Sequence, residues 1–101
     1  MGSGTSRTVV GAISGIGSTL IVRTVGFRPR RVELINVDAS GLCSSVWQQG
    51  MADASAFKRV TDGTSTFPTT LGVTPLSDGF TIGADTDVNV SGELIYWTAW
   101  E

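Results

Sequence analysis

The sequence predicts an all-β fold, a single small β-sandwich or jelly-roll-like barrel of short antiparallel strands. Three observations carry this expectation. Apolar and polar residues alternate over short runs, as in strands with one buried face. Clusters of Gly, Asn, Asp, Ser and Pro interrupt those runs at spacings of about ten residues. No segment keeps a helical period long enough to define a helix, and no internal repeat is visible.

Taken in order, residues 1–6 are rich in Gly and Ser and predict a flexible N-terminal arm, with residues 7–101 forming one β domain. Residues 7–10 predict a short strand ended by Gly11, and Ser14-Gly15-Ile16-Gly17 a turn. Residues 18–25 read as a strand with Leu20 and Val22 on one face and Thr19, Ile21 and Arg23 on the other. Gly26-Phe27-Arg28-Pro29 breaks it, because proline cannot donate to a sheet ladder. Residues 31–37 give the clearest strand signal of the first half, with Val32, Leu34 and Ile35 set among Arg31 and Glu33. A turn at 38–41 leads to a strand over 42–49 around Val46 and Trp47. Residues 50–55 read as a loop in which Asp53 caps a helix or forms a turn, and 50–57 is the one stretch where a short helix is admissible. Residues 56–61 and 64–67 form a hairpin about Asp62-Gly63. Residues 68–78 hold two prolines and no periodicity, which predicts an extended loop.

The stretch from Gly79 to Trp100 organises the rest. It starts with a half-buried strand pattern, passes through a polar run and ends in a dense aromatic run. Leu94, Tyr96 and Trp100 share one face of that last run, and Ile95, Trp97 and Ala99 the other. A strand apolar on both faces calls for two covers, the chain's own core and something else.

Composition narrows the function. The chain has 101 residues, 41% hydrophobic and 16% charged, which suits one domain with a two-layer core. A formal net charge of -2 argues against nucleic-acid binding through overall charge. No apolar run approaches a membrane span, and the N-terminus lacks the pattern of a secretory signal. The single cysteine, Cys43, fits a reducing compartment and the role of a small buried apolar residue. There is no histidine, which removes the commonest general base and metal ligand and any Ser-His-Asp or Cys-His arrangement. No cofactor motif is present, and the expected chemistry is non-enzymatic.

Several constellations carry both a functional and a structural reading. Asp85, Asp87, Asn89, Ser91 and Glu93 recur at alternate positions, as oxygen ligands of a calcium loop do. An EF-hand, however, needs Gly where this chain has Val90 and Glu where it has Tyr96. The preferred reading is a polar connection in which Asp and Asn cap their own backbone. The same carboxylates lack the cleft that glycoside hydrolysis demands. Arg23, Arg28, Arg30 and Arg31 cluster around Pro29, either as a basic docking corner or as a solvated turn. Trp47, Tyr96, Trp97 and Trp100 suit a core or subunit interface better than a sugar platform.

Gly26-Phe27-Arg28-Pro29-Arg30-Arg31-Val32-Glu33-Leu34, then Val46-Trp47 and Gly50-Met51, then the run from Gly79 to Glu93 resemble small virion proteins of tailed bacteriophages. In these a "GF-x-P-x-x-V" block precedes a "GFTIG-x-D-x-D-x-N-x-x-G-E" block that ends in aromatic residues. The resemblance runs from about Ser18 onward, and its C-terminal block is the distinctive part. It implies a head decoration (cement) protein on the outside of the capsid, made in the host cytoplasm. The implied partners are further copies, as a trimer rather than a dimer, and the major capsid protein, with neither nucleic acid nor membrane. Ile95, Trp97 and Trp100 are then the expected self-association residues, and Arg23, Arg28, Arg30 and Arg31 the capsid-docking residues. The pattern carries no catalytic residues. A tail-fibre or tail-tip module that binds a host glycan through Trp side chains is the alternative.

Overall fold

The computed structural model describes residues 7–37, 43–60 and 63–101. The expected arm at 1–6, the turn at 38–41 and Asp62 of the hairpin turn lie outside the described residues. Nine strands follow one another: β1 (Thr8–Ser14), β2 (Leu20–Val22), β3 (Arg31–Asn36), β4 (Cys43–Gln48), β5 (Phe57–Arg59), β6 (Ser65–Thr66), β7 (Val73–Leu76), β8 (Gly79–Ile82) and β9 (Leu94–Trp100). They form a six-stranded sheet in the order β1-β9-β3-β4-β5-β6 and a three-stranded sheet in the order β2-β8-β7. Every strand pairing is antiparallel. The all-β expectation holds, and no helix occurs among the described residues.

The two sheets share one core. From the large sheet come Val32, Leu34, Trp47, Ile95, Trp97 and Ala99, and from the small sheet Leu20, Val22, Val73, Phe80 and Ile82. Strict alternation produces this: along β9 the odd-numbered residues are buried and the even-numbered ones face outward. The Phe80 ring meets the Trp97 ring edge-on at 5.5 Å between centroids, which joins the two sheets.

Four elements depart from the sequence expectation. The first strand does not end at Gly11 but runs through it to Ser14. Gly11 is required there because the indole of Trp97 lies over it, and a Cβ would sit 2.5 Å from that ring. The strand expected over 18–25 is confined to Leu20–Val22. The segment 50–57 makes turns, with Gly50 and Ala54 at positive φ, and Trp47 Nε1 donates to Ala52 O at 3.1 Å. Within the expected loop of 68–78, β7 forms and takes Pro75 into the ladder opposite Phe80. β7 is an edge strand of the small sheet, where a missing N–H costs no interior bond.

Candidate functional site

The polar run after β8 closes on itself. Asn89, buried, accepts from the backbone N–H groups of Ile16 at 2.9 Å and Gly17 at 3.2 Å. Its Nδ2 donates to Ser18 O at 2.6 Å and Gly83 O at 3.0 Å. Asn36, inward-facing at the end of β3, donates to Asp87 O, Val88 O and Glu93 Oε1. Asp85 Oδ1 accepts from the backbone of Asp87 at 2.8 Å and Val88 at 3.2 Å, an Asx-type cap. Lys58 on β5 then reaches both Asp85, at 3.0 Å, and Asp87, at 2.7 Å. Burial alone would lower the Lys58 pKa, but hydrogen bonds and charge from Asp87 and Asp85 outweigh it and raise it. The alternating carboxylates therefore already hold an ammonium and their own backbone, which is the structural reading of this run. No group of three or more potential metal-ligating side chains occurs among the described residues.

The outer face of the large sheet is open instead. The register lines up Val10, Thr98, Glu33, Val46 and Phe57 in one row across five strands, and Ala12, Tyr96, Ile35, Ser44 and Arg59 in the next. Several of these are large apolar groups in solvent: Val10 is 71% exposed, Tyr96 46%, Phe57 43% and Ile35 39%. Leu94, Phe67 and Val37 add to the exposed apolar groups. A groove of about 560 Å³ on the face is lined by Val46, Met51, Phe57 and Phe67, with Arg31 and Arg59 among its walls.

β9 has the expected core cover on its inner face, while Leu94 and Tyr96 on its outer face stay exposed. Ile95 and Trp97 point into the core at 0% and 5% exposure, so neither can meet a neighbouring copy. Any association surface on this strand passes to Leu94, Tyr96 and Trp100. Trp47 is buried as well, so neither it nor Trp97 can stack on a sugar.

The arginines divide into separate settings. Arg23 pairs with Asp78 at 3.0 Å. Arg28 donates to Pro75 O at 3.4 Å and, with Arg30, lines a hollow of about 220 Å³ beside Pro29 and Gln49. Arg31 leaves that corner for the outer face, where its guanidinium lies 5.0 Å from the centroid of the Trp100 ring. Arg7, which the sequence did not single out, pairs with Glu101 at 2.7 Å and ties the two ends of the described chain together. Its hydrogen bond holds the Glu101 carboxyl below the ordinary range. Cys43 lies under the sheet, and burial pushes its thiol up to about 11.

No protein-family model, no curated protein and no solved structure matches the chain.

Proposed function

We propose that this chain is a non-enzymatic structural protein of a tailed-bacteriophage virion, a head decoration protein that binds the outside of the capsid as a homo-oligomer. In this reading the two sheets form a six-on-three sandwich with jelly-roll character, presenting its larger sheet for assembly. The observation that carries the proposal is the outer face of that sheet. Val10, Ile35, Phe57, Leu94 and Tyr96 gather exposed apolar surface on one sheet face of a domain of 101 residues, and large exposed apolar patches mark binding faces. The sequence resemblance supplies the setting, and the lack of histidine suits a structural role.

Neighbouring copies would cover Leu94, Tyr96 and Trp100. The capsid would meet the corner of Arg28 and Arg30 and the groove beside Arg31. A lattice of such contacts multiplies a modest affinity per copy through avidity. Electron microscopy of the particle tests the location: density for this chain on the head supports the proposal, and density confined to the tail overturns it. Sedimentation of the purified protein tests self-association, and a stable monomer at micromolar concentration would sink that part. Replacing Arg28, Arg30 and Arg31 together with Ala should lower head occupancy; unchanged occupancy removes the arginines from the account.

A further inference from the structure

We infer that β1 is a pairing edge for a second copy of this chain, with two β1 strands joining antiparallel about a two-fold axis at Gly11. The inference rests on the proposed function only in treating the protein as an assembling unit, and it names where and how two copies meet.

The four sheet edges are not alike. β6 has two residues and β2 three, too few for a sustained ladder. β7 carries Pro75 in mid-strand. β1 has seven residues, Thr-Val-Val-Gly-Ala-Ile-Ser, with no charge and no proline. Natural edge strands are guarded by shortness, charge or proline, and β1 alone of these four lacks every guard.

The hydrogen-bond parity shows what β1 offers. Glu101 N donates to Arg7 O and Gly15 N to Glu93 O, so the odd-numbered residues at both ends of the strand bond to β9. Antiparallel ladders alternate, so Val9, Gly11 and Ile13 also turn their backbone groups toward β9. The N–H and C=O groups of Thr8, Val10, Ala12 and Ser14 therefore point outward along an edge on which no strand pairs among the described residues.

A two-fold axis at Gly11 satisfies all of them at once. It sets Thr8 opposite the second copy's Ser14 and Val10 opposite its Ala12, each as a hydrogen-bonded pair. On the other face Val9 lies opposite Ile13, and both already pack against the core. Every pair is uncharged, so the strand is complementary to itself, as an isologous contact requires. Gly11 meets its own symmetry mate. The two six-stranded sheets then run on as one, with their exposed apolar faces side by side.

The test uses the full chain. Sedimentation velocity from about 1 to 100 μM should show a monomer–dimer equilibrium. Ala12→Pro removes a donor that points away from β9 and leaves the ladder to β9 intact. It should weaken the dimer by about 100-fold or more, with thermal unfolding of the dilute monomer unchanged. The Thr8→Cys/Ser14→Cys double variant should form a disulfide-linked dimer on mild oxidation, because hydrogen-bonded antiparallel pairs lie about 5.5 Å apart. Thr8→Cys alone should not, since its symmetry mate lies at the far end of the strand. A chain that stays monomeric at the highest concentration, a dimer indifferent to Ala12→Pro, or a dimer that the double variant fails to cross-link each overturns the inference. A two-fold dimer that fails to occupy phage heads would instead overturn the proposed function and leave the pairing standing.

Discussion

The loop between β8 and β9 and the outer face of β9 lie side by side in the sequence and solve opposite problems. In the loop, Asn89 makes four hydrogen bonds, Asn36 binds back from β3, and Lys58 bridges two carboxylates. No buried side-chain nitrogen or oxygen among the described residues lacks a partner. On the outer face, Tyr96 and Leu94 remain exposed to solvent. Polarity is therefore a poor guide to which surface of this molecule stays open. Polar groups inside a fold must find partners there, whereas an apolar face can wait for one.

Breaking each side separately should expose the difference. Trp97→Ala, on the inner face, should cost about 3–5 kcal/mol in urea unfolding, whereas Tyr96→Ala, one residue away on the outer face, should cost less than about 1 kcal/mol and act mainly on any association through that face. Equal losses from the two would erase the contrast. Asn89→Ala should cost about 2–4 kcal/mol, because it strands the N–H groups of Ile16 and Gly17 and frees two carbonyls. Lys58→Met leaves Asp85 without its counter-charge and should cost about 2–3 kcal/mol, moderated because Asp87 is partly in water.

A pH dependence separates the buried thiol from the rest. The Cys43 thiol titrates near 11 when folded against 9.0 when not, so the unfolded chain loses this proton first. Its contribution is complete below 9.0 and declines as pH rises toward 11. Lys58, raised above 10.5, keeps its contribution to 10.5 and loses it through its own higher pKa. Unfolding midpoints should therefore fall from about pH 9 upward, and in Cys43→Ala the fall should begin only above about 10.5. A Cys43→Ala profile that matches the parent would remove the thiol from the account.

Much of the fold was legible because its signal is local. The period of two in 31–36 and 94–100 and the glycines at 15, 17 and 63 placed strands and turns close to where they lie. Which face of β9 lies inward was not legible. Alternation sorts Ile95, Trp97 and Ala99 from Leu94, Tyr96 and Trp100, but both sets are bulky and apolar. Only the tertiary fold decides, and it buries the set that includes two of the residues expected at an interface. The passage of β1 through Gly11 depends on a ring eighty-six positions later, at Trp97, which no window can contain. Pro75 misled for a related reason: proline excludes a central strand, but whether a strand is central is a property of the whole sheet. One missed signal was present. Asn36 continues the inward series of Val32 and Leu34, and an amide in that position announces a buried partner.

The brevity of β6, at the far edge of the large sheet from β1, has a consequence for growth. A sheet with two open edges can add copies indefinitely and become a fibre. Among the described residues the large sheet has one long unguarded edge, β1, and in the inferred pairing a contact that is its own complement would be used up when two copies meet. In the inferred pairing edge-on addition would stop at two copies, and any further association would have to use the outer face instead of a growing sheet.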